Sequence, residues 1–276
     1  MERKFRKYWK FGPWVLTLVA GLIVLTMGWN QKNDLAANSL PPTSVRPSDA
    51  NFRANPHDYN LAMSRLAAQA GKPCDMIFIG ASVVQRWNSK GGSVWNNYYE
   101  PRHALNFGVS GDRTENVLWR LDHMNLSGLK PKVAVIFIGL NNRNSAPWEV
   151  ALGIDAVVKK TQLVFPGVKV LVVSLTPHGP DQTPVVKTNE LLRSYADNRS
   201  VYYVDLYSHL PREGNNWKGL GSDRFHLSAE GYEIWAEQME PLLNKILPLA
   251  PATASYQISS TAGQPRPDLA HTQPGG

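Results

Sequence analysis

The sequence predicts an α/β fold in which helices pack around one buried parallel sheet of about five strands. Two observations support this prediction. Across residues 57–249, short apolar runs rich in β-branched and aromatic residues alternate with longer stretches that have helical spacing. The runs are apolar almost throughout, which is typical of strands buried on both faces. Strands that alternate with helices are joined by right-handed crossovers, and such crossovers make the sheet parallel.

Each run and each helical stretch is assigned in chain order. The predicted strands are 76–79, 104–107, 133–138, 168–173 and 201–204. The predicted helices are 58–70, 114–124, 147–164, 185–199 and 229–247. Ligands of open parallel sheets bind beyond the carboxyl ends of the strands. The residues directly after each strand are therefore the candidate site residues.

The amino-terminal segment predicts a membrane anchor. Residues 1–10 hold five Lys or Arg and one Glu, and residues 11–29 carry no charge. Nineteen helical residues extend about 28 Å, roughly the hydrocarbon thickness of a bilayer. The basic leader predicts a cytoplasmic amino terminus and an extracytoplasmic domain, which in a Gram-negative bacterium would be periplasmic. A cleavable signal peptide is the main alternative, although its apolar region would normally be shorter than this one. A buried core helix is the other alternative.

Composition indicates how the remaining segments are organised and excludes some classes of function. Residues 30–56 are polar and proline-rich, which predicts a stalk, and residues 250–276 lack apolar periodicity, which predicts a disordered tail. One cysteine, Cys74, excludes an internal disulfide framework and a thiolate metal cluster. The net charge of +7 is concentrated in the leader, and no basic stripe interleaved with aromatics follows, so nucleic-acid binding is not expected.

Candidate catalytic groups follow the first three strands. Ser82 lies at the first strand-to-helix turn, where a serine is exposed beside helix amides that can stabilise an anion. The loop that holds Gly111 follows the second strand, and Asn141 follows the third. A side-chain amide can donate to a developing oxyanion. Asn142 is expected to point away from the cleft, because adjacent side chains of an extended strand end point to opposite sides.

A candidate catalytic base precedes the last helix. Asp223 comes three residues before His226, so its carboxylate can hold the imidazole through Nδ1 and leave Nε2 free to accept a proton from Ser82. Asp205, which follows the fifth strand, is an alternative acid with a looser spacing to the histidine. Each of these features has an ordinary structural explanation when taken alone. Together they predict an acyl-transfer site with the amides of Ser82 and Gly111 and the side chain of Asn141 as oxyanion donors.

These residues resemble the SGNH (GDSL-type) hydrolases. Ser82, Gly111, Asn141 and His226 stand where the four naming residues of that family stand, with Asp223 as the triad acid. The closer likeness is to the branch that contains the platelet-activating-factor acetylhydrolase catalytic subunits. That likeness is carried by residues 103–108, 111–112, 117–121, 130–133 and 139–142. The resemblance covers residues 74–247 and implies a three-layer flavodoxin-like fold and serine-esterase activity without a metal or cofactor.

Two positions depart from the family pattern. Gly-Asp-Ser is Gly-Ala-Ser here, so Ala81 cannot make the contacts of that aspartate, and Gly-x-Asn-Asp is Gly-Leu-Asn-Asn, with Asn142 last. Neither change removes a triad or oxyanion group. Trp87 and His178 are weaker candidates for substrate contact. Trp87 and the aromatic residues near it could equally cover the edge of the sheet. His178 could instead be a solvent-exposed loop residue without a role in binding.

The sequence thus predicts a membrane-anchored, extracytoplasmic serine esterase. Its expected substrate is a short acyl ester, such as acetyl, on envelope or exported polysaccharide, and polysaccharide-export proteins are candidate partners. An acyltransferase that uses the same acyl-enzyme is one alternative. A catalytically silent polysaccharide-binding or scaffold protein is another, although a silent domain has no chemical need for the whole set of catalytic residues.

Overall fold

The five predicted strands form one parallel sheet in a computed structural model that describes residues 41–50, 56–214 and 216–249. The strands occupy the order β2-β1-β3-β4-β5. They are β1 (Met76–Gly80), β2 (Ala104–Gly108), β3 (Val133–Phe137), β4 (Lys169–Val173) and β5 (Val201–Val204). Every residue of β1 and β3 is buried, as the continuous apolar runs predict. From β1, the chain adds β2 on one side and then crosses to add β3, β4 and β5 on the other side. A ligand cleft is expected where the strand order reverses in this way, between β1 and β3.

Helices precede, connect and follow the strands, and the five with predicted limits lie close to them. They are α1 (Pro56–Ala67), α2 (Ser82–Gln85), α3 (Thr114–His123), α4 (Pro147–Val164), α5 (Thr183–Tyr195) and α6 (Ala229–Ile246). The helices α3, α4 and α5 pack side by side in chain order. α5 ends before the predicted residue 199 because the Asp197 carboxylate accepts the backbone N–H groups of Arg199, Ser200 and Val201. These bonds hold a turn that leads into β5.

A short antiparallel hairpin lies outside the main sheet and was not predicted. It pairs β6 (Arg212–Glu213) with β7 (Asn216–Trp217). Strands of two residues give too short a pattern for detection from sequence. The hairpin contributes to the wall of the cleft described below.

Part of the predicted stalk packs on the domain. Within residues 41–50, Ser44 is fully buried, and its hydroxyl donates to the carbonyl of Glu149 at 2.7 Å. The hydroxyl of Thr114 donates to the carbonyl of Ser44 at 2.8 Å, and Asn116 donates to the carbonyls of residues 48 and 50. The stalk prediction is therefore wrong for residues 41–50, because proline-rich polarity does not reveal backbone groups that bind a helix surface.

The prediction that Trp87 contacts substrate is also wrong. The Trp87 side chain is fully buried, and its ring lies 4.4 Å from that of Tyr232 and 5.1 Å from that of Trp235, centroid to centroid. Phe78 of β1 and Tyr99 complete this aromatic cluster. α6 covers Trp87, so the ring stabilises the packing of α6 on the sheet and has no path to a ligand.

Among the described residues, no helix combines the length and the apolar character needed to cross a bilayer. The predicted leader (1–10), anchor (11–29) and tail (250–276) lie outside the described residues, as do residues 30–40 and 51–55 of the predicted stalk.

Candidate active site

Ser82 lies at the amino end of α2, directly beyond the carboxyl end of β1, as predicted. The turn is tight because Gly80 has no side chain: a Cβ there would collide with the carbonyl oxygen of Phe137 and the side chain of Val84. The backbone N–H of the first helical residue has no acceptor within its own helix. Ser82 therefore brings both a hydroxyl and an available amide to the cleft that it lines.

The side chains of Ser82, His226 and Asp223 form one hydrogen-bonded chain. The Ser82 Oγ lies 2.8 Å from His226 Nε2, and His226 Nδ1 lies 2.7 Å from Asp223 Oδ2. The other carboxylate oxygen, Oδ1, accepts the backbone N–H groups of Phe225 at 3.0 Å and His226 at 2.9 Å. The guanidinium of Arg86 approaches Asp223 to 3.7 Å. This geometry matches a nucleophile, a base and an orienting acid.

Local contacts keep Asp223 ionised. Partial burial of the carboxyl by itself would raise its pKa, but the hydrogen bonds from the His226 ring and from the two amides lower the pKa of Asp223 to about 2. The carboxylate is therefore charged at neutral pH and can hold the imidazole in one tautomer. The alternative acid, Asp205, is directed elsewhere: its carboxylate accepts from Arg193 at 2.6 Å and from the Ser208 amide at 3.1 Å.

Gly111 and Asn141 line the same cleft as Ser82. Gly111 has φ +85°, a conformation that glycine adopts without strain. The side-chain amide of Asn141 is anchored by one N–H, which donates to the carbonyl of Asp112 at 2.8 Å. An amide nitrogen carries two donors, so the second remains for an oxyanion. The predicted oxyanion groups thus line one cleft together with the Ser82 hydroxyl.

The sequence comparisons identify a family. Residues 78–234 match the model of the GDSL-like lipase/acylhydrolase family. The chain is 40% identical over 200 residues to platelet-activating factor acetylhydrolase IB subunit alpha2 from Homo sapiens, covering 68% of this chain and 84% of that protein. The chain belongs to the GDSL-like lipase/acylhydrolase family. The alpha1 subunit from Rattus norvegicus is 31% identical over 188 residues, covering 66% of this chain and 80% of that protein.

Solved structures share the fold. A GDSL-like lipase from Bacteroides thetaiotaomicron superposes with a TM-score of 0.56 at 19% identity, covering 69% of this chain and 99% of that one. Family membership establishes that the protein is an esterase of the GDSL type. The positions of Ser82, Gly111, Asn141 and His226 in one cleft agree with the family pattern that the sequence resembles.

Beneath the cleft, a buried ion pair connects the segments of this GDSL site. The Arg120 Nε lies 2.7 Å from Asp112 Oδ2, and both side chains are almost fully buried. A second guanidinium nitrogen of Arg120 donates to the carbonyl of Gly80 at 3.3 Å. Since Asn141 donates to the carbonyl of Asp112, one network holds the turn before Ser82, the loop of Gly111 and the asparagine. The contacts to Gly80 and Asn141 span 40 and 29 residues of sequence, so spacing alone could not reveal the network.

Asn142 supports this loop without reaching the cleft lining. Its side-chain oxygen accepts the backbone N–H of Thr114 at 3.1 Å, and its nitrogen donates to Glu115 Oε2 at 2.8 Å and to the Thr114 hydroxyl at 3.2 Å. The expected divergence from Asn141 is present, but the expected reason was wrong. Leu140–Asn142 forms a 3₁₀ turn, so the two side chains diverge around a turn instead of across an extended strand.

The last helix of this esterase positions the base. Ser228 caps α6 by accepting the backbone N–H of Gly231 at 3.3 Å, directly after the loop of His226. The Tyr232 hydroxyl then donates to the carbonyl of Val83 at 2.6 Å. This bond joins α6 to the helix that begins with Ser82, so the nucleophile and base are fixed relative to one another.

His178 lines the cleft, in agreement with its predicted position at the rim. Burial lowers the pKa of His178, and the nearby Arg143 charge also lowers it, against a weak backbone hydrogen bond to Thr176 that raises it. The imidazole is therefore neutral at neutral pH.

Sequence reasoning missed several other lining residues. They are Arg143, Arg212, Trp217, Lys218, Arg224 and Phe225. They come from separate loops, and the short hairpin that carries Trp217 gives no periodic signal. Among the described residues, no group of three or more His, Cys, Asp or Glu side chains is arranged to hold a metal ion.

Proposed function

We propose that the protein is a membrane-anchored serine esterase that removes short acyl groups, such as acetyl, from extracytoplasmic polysaccharide. The observation that carries the proposal is the hydrogen-bonded chain from Ser82 Oγ through His226 to Asp223. A serine hydroxyl bonded to a correctly oriented imidazole can attack an ester carbonyl. This continuous chain disfavours a silent scaffold.

In the proposed mechanism, Ser82 attacks the acyl carbon while His226 Nε2 takes the hydroxyl proton. The amides of Ser82 and Gly111 and the free donor of Asn141 stabilise the tetrahedral oxyanion. His226 then gives the proton to the departing alcohol, which leaves an acyl-enzyme. Water, activated by the same histidine, attacks this intermediate and releases the acid. Asp223 stays ionised throughout and stabilises the imidazolium that forms twice.

Two observations support the substrate class. The curated relatives are named as acetylhydrolases, which favours a short acyl group. The cleft has a volume of about 1390 Å³, more than the roughly 300–1,000 Å³ of ordinary small-ligand pockets. A short acyl group fills little of this space, so the cleft favours a large alcohol such as a saccharide.

The location is proposed from residues 1–29, a basic leader followed by an uncharged stretch long enough to span a bilayer. A phosphatase reporter fused after residue 60 should be active only outside the cytoplasm. The protein should also stay with the membrane after alkaline washing. A mature soluble form that begins near Asn38 would instead show that the segment is a cleaved signal peptide.

The activity is tested on the full chain in non-ionic detergent with p-nitrophenyl acetate, butyrate and octanoate, beside an O-acetylated polysaccharide. We expect acetate to be the preferred acyl group and free acetate to be the product, with Ser82→Ala as the inactive control. Acetyl transfer to an added glycan acceptor in place of acetate release would identify an acyltransferase. A preference for octanoate would refute the short-acyl assignment.

A further inference from the structure

We infer that the cleft selects acyl esters of acidic polysaccharides, whose sugar carboxylates bind to arginines beside the catalytic serine. The inference rests on the proposed esterase function and adds that the alcohol portion of the substrate is negatively charged. Its basis is the charge of the cleft lining. The ionic side chains at the described lining are Arg143, Arg212, Lys218 and Arg224 against Glu213 and Asp223.

Two of the four cations have no partner within the described part of the chain. The guanidinium of neither Arg143 nor Arg224 makes a hydrogen bond or ion pair there, and both residues are exposed. By contrast, Lys218 pairs with Glu230 at 2.9 Å, and Arg212 donates to the carbonyl of Gly214 at 3.2 Å. The carboxylate of Asp223 is occupied by His226. Arg143 and Arg224 are thus available to a ligand.

These two arginines flank the reacting centre from different loops. Arg143 comes two residues after the oxyanion asparagine, and Arg224 directly follows the triad acid. Arg224 has φ +53°, a left-handed conformation that is unfavourable for an arginine. Strained backbone of this kind is found at active sites and ligand-binding loops. Because Arg143 and Arg224 line the cleft that Ser82 also lines, an ester bound at Ser82 would place its neighbouring sugar units in the cleft that holds both guanidinium groups.

The rest of the lining favours a sugar over a lipid. The ring of Trp217 lines the cleft, with the Arg212 guanidinium 5.8 Å from its centroid. An aromatic ring can stack on the apolar face of a sugar, and the polar side chains of Gln182 and Asn216 in the same lining can bind hydroxyl groups. Polar side chains around an aromatic ring suit the hydroxyl groups of a sugar better than they suit an acyl chain. Guanidinium groups bind carboxylates through paired N–H donors.

The test compares two forms of one substrate, O-acetylated polygalacturonate and the same polymer with its carboxylates methyl-esterified. The full chain in non-ionic detergent should show a kcat/KM for the acidic form about tenfold higher at low ionic strength, as two exposed ion pairs can supply. The difference should lie mainly in KM and should shrink at high salt.

The variants Arg143→Gln and Arg224→Asn should each reduce the acidic-to-neutral ratio of kcat/KM about threefold to fivefold, the upper range for one exposed ion pair. Asparagine is chosen at 224 because it tolerates the left-handed conformation. Arg199→Gln is the matched control: Arg199 is exposed and precedes β5, at the edge of the sheet opposite the cleft. It should leave the ratio unchanged.

Three results would overturn the inference. They are equal kcat/KM for the two polymers, a ratio that the arginine variants do not alter, and inhibition by phosphatidylglycerol added to the detergent micelles but not by oligogalacturonate. The last would indicate an anionic lipid as the ligand. Each of these leaves the esterase assignment intact, because p-nitrophenyl acetate would still be hydrolysed. Failure of the wild type on p-nitrophenyl acetate would instead refute the proposed function.

Discussion

Replacing Asn141 by alanine should lower the catalytic rate, whereas replacing its neighbour Asn142 by alanine should lower the stability of the fold. Asn141 supplies a side-chain donor to the proposed oxyanion hole, and alanine deletes it. Loss of one such donor lowers turnover by about 10²–10³. Because the oxyanion charge develops only in the transition state, kcat should fall while KM changes little.

Asn142→Ala should act on the folded state instead. The side chain makes three buried hydrogen bonds with Thr114 and Glu115. At about 1 kcal/mol each, their loss lowers the free energy of unfolding by about 3 kcal/mol. For a domain of this size, each kcal/mol corresponds to about 2–4 °C, so the melting temperature should fall by about 6–12 °C.

The assay measures kcat per fluorophosphonate-labelled site on p-nitrophenyl acetate, together with the melting temperature from circular dichroism. Counting labelled sites removes the effect of any unfolded fraction. Asn144→Ala is the matched control, since Asn144 is exposed on the same loop. It should change neither quantity. Equal losses of per-site kcat for Asn141→Ala and Asn142→Ala, or a larger loss for Asn142→Ala, would refute the assignment of the oxyanion donor.

Three further predictions follow from the site and its support. Ser82→Ala should reduce kcat by a factor of about 10⁶, the scale known for a triad serine. It should also abolish fluorophosphonate labelling and leave the circular dichroism spectrum unchanged. Activity within tenfold of wild type would refute the assignment of Ser82 as the nucleophile. The pKa of Asp223 is lowered from 3.8 to about 2 in the folded protein, so the stability that its carboxylate contributes is complete above the unfolded value and is lost as pH falls toward the folded value. The difference in urea midpoint between wild type and Asp223→Asn should therefore narrow from about pH 5 to pH 2, and a constant difference would contradict this. Deleting residues 41–50 should lower the melting temperature by several degrees, because at least four hydrogen bonds to α3 and α4 are lost. Deletion of the tail 250–276 is the control and should leave the melting temperature unchanged.

Much of the site was predictable because its chemistry lies at strand ends. Buried strands have a continuous apolar pattern, and a parallel sheet brings all of its carboxyl ends to one edge. Ser82, Gly111 and Asn141 could therefore be placed together from sequence. Asp223 and His226 are three residues apart, so their contact is a local property of one loop, and the choice against Asp205 agrees with the structure.

The tertiary structure alone decided which other side chains reach the cleft. Trp87 is buried because α6, distant in sequence, packs over it, and no local pattern records that packing. Arg143 and Arg224 line the same cleft only because two loops that are distant in sequence lie side by side in the fold. Residues 41–50 pack on α3 and α4 through backbone carbonyls, which are the same in every sequence. Local periodicity thus determined the strands and the catalytic residues, while long-range packing determined burial, support and the charge of the cleft.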